Sequence, residues 1–164
     1  MVNDVNGLRC EGMEDLVIDR GVPAVIMHMK GTPKDMQVNP DYVNVISEIH
    51  DFLTERIETL IKKGMDRDQI AIDPGIGFGK RVEDNLNIIK HLDMFQDIGC
   101  PILIGASRKS FIGNTLDLEV NMRLEGSLAS AVISYLNGAS ILRVHDVLET
   151  RRSLDMAKAI IDAS

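Results

Sequence analysis

Five short, almost wholly apolar runs recur along the 164 residues, and this recurrence constrains the fold more than any other feature. They begin near Val2, Ala24, Gln69, Pro101 and Ile141, about one every 35 residues. They do not alternate apolar with polar residues, as a half-buried strand would. Continuous apolar runs of this length suit parallel strands covered on both faces. Longer amphipathic segments lie between them. Val43, Ile46, Ile49, Leu53, Ile57 and Leu60 repeat at helical spacing and stop at Gly64. Leu86, Ile89, Leu92 and Phe95 do the same before Gly99. Met122, Leu128, Val132 and Tyr135 mark a helix ending near Gly138, and Leu154, Ala157 and Ile161 mark a C-terminal one. A shorter helix is expected over 11–20. The order is β-α five times, which implies a parallel sheet with right-handed crossovers. An eight-fold barrel at this spacing needs about 280 residues. Five units therefore suit either a small open sheet or a barrel lacking its first three units.

Composition narrows the class. Apolar residues make up 45% and charged residues 26%, as in an ordinary globular protein. The net charge of −7 provides no basic footprint for nucleic acid. No apolar run approaches the ~18 residues of a membrane span, and no basic-then-apolar leader precedes the first strand. Cys10 and Cys100 form no CxxC pair, so a reduced, cytoplasmic protein is expected. The nine methionines read as core filler.

The polar residues cluster just after the apolar runs. Asn3 and Asp4 end the first, and His28 follows the second. Asp73, the glycines 75, 77 and 79, and Lys80 follow the third. Ser107, Arg108, Lys109 and Ser110 follow the fourth; Arg143, His145 and Asp146 follow the fifth. In parallel α/β folds ligands bind at this C-terminal edge. The Asp73–Lys80 segment is neither a phosphate-binding Walker loop nor a dinucleotide fingerprint. Pro74 and Arg81 break the first pattern, and Lys80 replaces the third glycine of the second. Its glycines alone read as a tight turn with a solvated Lys80. Asp73, a carboxylate ending a buried strand, needs donors. Arg143 and His145 share a face by alternation; Arg143 suits an anion or a salt bridge to a neighbouring Asp. His28 reads as a satisfied core residue, and His50 and His91 as solvent-facing helix residues. No histidine spacing supports a zinc site. Lys80, Arg108, Lys109, Arg143 and His145 around one edge suit an anionic small ligand. Asn3 and Asp73 suit the donor–acceptor edge of a flat heterocycle.

Six motifs in order carry a resemblance over nearly the whole chain: Val2-Asn-Asp-Val5; Val25 to Pro33 with Met36-Gln37; Asp73 to Lys80; Ser107 to Gly113; Arg123 to Ser127; and Arg143 to Val147. Together they resemble the dihydropteroate synthases of the pterin-binding barrel family. The resemblance implies an α/β, (β/α)8 TIM-barrel fold. Residues 1–164 then form the C-terminal portion of one pterin-binding domain, incomplete here, with Met1 where the fourth strand begins. It implies condensation of 6-hydroxymethyl-7,8-dihydropterin diphosphate with p-aminobenzoate, with Mg²⁺ accompanying the diphosphate and no metal ligand in this chain. It implies that Asn3, Asp73 and Lys109 hold the pterin, with Met27 packing on the pterin side. Arg143 and His145 form the diphosphate site, while Phe78, Lys109 and Ser110 border the p-aminobenzoate pocket. Lys109, Arg143 and His145 are the catalytic set, acting by position and charge. Two other readings remain: a methyltransfer domain of the same superfamily, or a non-catalytic pterin-binding fragment. An incomplete barrel is expected to leave strand edges unpaired and inward apolar residues wet, which favours association or a homodimer.

Overall fold

A computed structural model describes residues 1–32, 36 and 40–163. Pro33 and Gln37, part of the second motif, lie outside the described residues. The strands are β1 (Val2–Asp4), β2 (Ala24–Met27), β3 (Ile70–Asp73), β4 (Leu103–Ile104) and β5 (Ile141–Leu142). The helices are α1 (Met13–Asp19), α2 (Val45–Lys62), α3 (Val82–Lys90), α4 (Ser110–Leu116), α5 (Leu124–Leu136) and α6 (Val147–Ile161). All strand pairs are parallel. β1, β2 and β3 form one ladder and β4 pairs with β5. A single parallel bridge, Ile72 to Ile102, joins the two sets, so the spatial order follows the chain order. The array curves enough for the Arg143 side chain, just beyond β5, to hydrogen-bond Asn3 of β1.

Register sorts the strand residues onto two faces. Asn3 aligns with Val25, and Val25 with Ala71; Met27 aligns with Asp73, and Leu103 with Ile141. Val25, Ala71 and Leu103 form a small buried cluster against Ile141 on the concave face. The alternate residues Ala24, Ile26, Ile70, Ile72, Ile102 and Ile104 join the large cluster under the helices. Both faces are thus apolar, as continuous runs require. Of the concave apolar residues, Val25, Ala71 and Leu103 are at most 4% exposed, contrary to the expectation from an incomplete barrel, whereas Ile141 at its end is only half-buried. At its ends, among the described residues, β1 pairs only with β2 and β5 only with β4.

The helices depart from their expected limits for local reasons. Val43 is fully exposed because α2 starts two residues later. Asn44 caps that start, accepting from the Ile46 and Ser47 amides at 3.1 Å each. The buried stripe of α2 is Val45, Ile49, Leu53, Ile57 and Leu60. The Leu86–Phe95 repeat is not one helix. α3 ends at Lys90, and Leu92–Ile98 is a 3₁₀ segment closed by Gly99 at φ 75°. Its tighter winding turns Leu92 and Phe95 inward while Leu86 stays exposed. Between β4 and β5 lie two helices, because Asp117 breaks the path in the left-handed region. Ile161 is exposed rather than packed, and Met1, Met94, Met122 and Met156 are exposed rather than core filler.

Candidate active site

β1 and β3 end in the carboxylates Asp4 and Asp73, while β2, β4 and β5 stay apolar to their ends and are followed by His28, by Ser107–Ser110 and by Arg143. Asp73 is the last residue of β3, and Pro74, lacking an N–H, ends the ladder there. The carboxylate is 1% exposed. Its Oδ1 accepts the Gly75 amide at 2.7 Å. Its Oδ2 has no hydrogen-bond partner among the described residues. Arg143 Nη2 lies 3.5 Å from Oδ2, an ion pair without hydrogen-bond geometry. Burial pushes the Asp73 carboxyl above its usual range, against the Gly75 amide and the charges of Arg143, Lys109 and Lys80.

Arg143 bridges Asp73 and Asn3 across the concavity, and Gly105 makes room for it. A Cβ at Gly105 would overlap the guanidinium. Lys109 reaches over the same edge, donating to the Ile76 carbonyl at 2.5 Å with its ammonium 4.1 Å from the Phe78 ring centroid. Burial pushes its pKa down to about 8, with the Asp73 charge opposing. Met27, aligned with Asp73, is fully buried. His145 is exposed at the rim, where its Nδ1 lies 3.0 Å from the buried Ser107 hydroxyl. Asn3, Asp73, Lys109 and Arg143 thus meet at one end of the sheet, and Phe78 joins them through Lys109. Ser110 is exposed and opens onto an adjacent cavity of about 310 Å³ shared with Lys80, Asn85 and Phe111.

Two cations expected at this edge are otherwise engaged. Arg108, at φ 57°, makes a two-pronged pair with Asp146, 3.0 Å at Nε and 2.5 Å at Nη2. The pair ties the turn after β4 to the start of α6. Arg108's carbonyl accepts from Arg123, and its amide donates to Ser127. Lys80 is 4% exposed, not solvated. His28 is a satisfied core residue, 6% exposed, and burial pushes its ring toward the neutral form. His91 is exposed, whereas His50 is half-buried and pairs with Asp97 at 2.9 Å. A larger cleft, about 730 Å³, lies outside the barrel wall beside His50, Arg81 and His91. The sheet-end concavity is the better candidate because a buried carboxylate oxygen there lacks a hydrogen-bond partner.

A family profile described as pterin binding enzyme matches residues 1–145, and the chain belongs to that family. It is 38% identical over 163 residues to the dihydropteroate synthase of Escherichia coli K12, covering 99% of this chain and 58% of that protein. The Xanthomonas albilineans dihydropteroate synthase in complex with 7,8-dihydropteroate superposes at a TM-score of 0.93 and 39% identity, over all of this chain and 60% of that one. The same enzyme with 4-aminobenzoic acid matches at 0.93 and 41%, over all of this chain and 58% of that one. The chain thus spans under two thirds of these relatives, and its fold is part of their TIM barrel, left open here. Among the described residues, no helix is long and apolar enough to cross a membrane.

Proposed function

We propose that this chain forms the pterin- and diphosphate-reading part of a dihydropteroate synthase, a cytoplasmic transferase of folate biosynthesis. The unsatisfied Asp73 Oδ2 at the floor of the concavity carries the reading. A pterin presents adjacent N–H donors, and a buried carboxylate with a free oxygen is their complement. Those donors take the place Arg143 occupies beside Asp73. Its guanidinium, 42% exposed at the side chain, then turns to the rim and forks onto phosphate oxygens. Asn3 reads the ring edge, Met27 packs against it, and His145 lends a further donor to the diphosphate. Lys109 spans the pterin and the p-aminobenzoate, whose pocket Phe78 and Ser110 border.

In the reaction the arylamine nitrogen attacks the methylene carbon of the pterin. The carbon–oxygen bond to diphosphate breaks and the amine gives up a proton. The nucleophile is neutral near pH 7, so the work lies in positioning and in stabilising the leaving diphosphate. Mg²⁺ would partly neutralise that leaving group. No three His, Cys, Asp or Glu side chains converge among the described residues. These residues do not make a cage for the ion. Self-association through the open strand edges and the exposed Val147, Met156, Ile160 and Ile161 of α6 belongs to the same reading.

A polypeptide of these 164 residues should bind pterin diphosphate and make no detectable dihydropteroate when p-aminobenzoate and Mg²⁺ are added. Five strands surround only part of the reacting centre, and water reaches the rest. Affinity should fall as pH rises from 7 to 9, because Lys109 loses its proton near 8. Titration calorimetry and a radiolabelled product assay check these outcomes. Absence of binding at pH 7 would contradict the reading; clear multiple turnover would show that five strands suffice.

A further inference from the structure

Lys80 has no role in that reaction, yet it is one of the most buried charges in the chain, at 4% exposure. Its Nζ donates to the Phe78 carbonyl at 3.0 Å. It lies 3.0 Å from His28 Nδ1 and 3.5 Å from the His28 carbonyl. These acceptors belong to two separate segments, the end of β2 and the turn after β3. The turn is clamped from behind elsewhere too. The Tyr42 hydroxyl donates to the Gly79 carbonyl at 2.7 Å, and Asn85 accepts the Gly77 amide at 2.6 Å. In front, the same turn presents the Gly75 amide to Asp73, the Ile76 carbonyl to Lys109 and the Phe78 ring beneath Lys109. An apolar side chain of equal volume would fill the space without the desolvation cost of an ammonium. What the ammonium adds is three directed hydrogen bonds and a positive charge behind Asp73.

We propose that Lys80 is a positioning residue for this site: it locks the Gly75–Gly79 turn onto the end of β2 and so aims Asp73 into the concavity, its positive charge adding to those of Arg143 and Lys109 there. This rests on the reading of Asp73 as the ring-binding carboxylate and deepens it. The charged groups around Lys80 define its electrostatics. Burial pushes its pKa down to about 7; Asp73 and Asp84 oppose this, and Lys109 adds to it. His28 is held neutral by burial and by the charges of Lys80, Arg9 and Lys30, so its Nδ1 accepts from the ammonium. Arg143 and Lys109 are the other cations acting on Asp73. Below pH 7 Lys80 keeps its proton, and there its charge opposes protonation of Asp73.

The test needs no ligand. The Asp73 carboxyl carbon is followed by ¹³C NMR between pH 3 and 8 in the full chain and in Lys80→Met. The midpoint should move up by about half a pH unit or more in the variant. Lost packing alone would lower Tm and leave the midpoint where it was. Should Lys80→Met fail to fold, Lys80→Gln keeps a donor for the two carbonyls and removes the charge, and it should shift the Asp73 midpoint the same way. An unmoved midpoint in folded Lys80→Met, or in Lys80→Gln where only that variant folds, overturns the proposal. Pterin affinity at pH 6 should fall about tenfold in Lys80→Met. A wild-type chain that binds no pterin would sink the functional reading, and the Asp73 midpoint would still decide the role of Lys80.

Discussion

Replacing Gly75 by alanine should leave the chain unable to fold, or lower its Tm by ~10 °C or more. The residue sits at φ +78°, where a side chain is strained. A Cβ there would also overlap the carbonyl oxygen of His28. That oxygen belongs to backbone pinned by the hydrogen bond from the His28 amide to the Asp73 carbonyl, 3.0 Å. Neither side can yield without parting the end of β2 from the turn after β3. The cost should exceed about 4 kcal/mol, the range of a backbone clash in a core and a large share of a domain's stability. Gly12→Ala is the control. Its φ of 75° is similar, but a Cβ there meets nothing within 4 Å. It should cost only about 1 kcal/mol. Thermal unfolding of the two variants side by side checks the argument; equal losses would contradict it.

Asp73→Asn should remove pterin affinity by about 100-fold while leaving the fold intact or more stable. In the proposed reading the carboxylate accepts from the ring through charge-assisted hydrogen bonds worth about 1.5–3 kcal/mol each. An amide of the same shape offers one acceptor and turns a donor toward the ring's own donors. Stability moves the other way. The folded-state pKa of Asp73 is raised, chiefly by burial. The sign follows from linkage. The group favours the fold while protonated, below its unfolded pKa, and that contribution is lost as pH rises through the folded pKa. At neutral pH the buried charge is a net cost, and asparagine removes it while still accepting from the Gly75 amide. Calorimetry with a dihydropterin, beside chemical denaturation at pH 7, reads both effects. A variant that binds as well as wild type would remove Asp73 from the site.

The five-strand order was legible because a parallel strand buried on both faces leaves an unbroken apolar run, and each run here ends in residues of different chemistry. The sequence alone groups Asn3, Asp73, Lys109 and Arg143, since parallel strands bring their C-terminal ends to one edge. The burial of Lys80 was not legible. A lysine after three glycines reads as solvated, and only the glycine-permitted approach of one loop to another encloses it. The Arg108–Asp146 pair was equally hidden. The two lie 38 residues apart, and nothing local to Arg108 distinguishes a structural cation from a ligand-binding one. The exposure of Val43 came from a local rule overriding a periodic one: Asn44 caps the helix, so the repeat begins after it.

The central claim is that Asp73 reads the ring and Arg143 the diphosphate within one concavity. The most direct test compares 6-hydroxymethyl-7,8-dihydropterin with its diphosphate by titration calorimetry on wild type and Arg143→Ala at pH 7. Wild type should bind both ligands in one saturable site, the diphosphate more tightly. In Arg143→Ala that preference should shrink by about tenfold or more, with binding of the plain pterin far less affected. Equal preference in the two proteins, or no saturable binding of either ligand to wild type, would contradict the account.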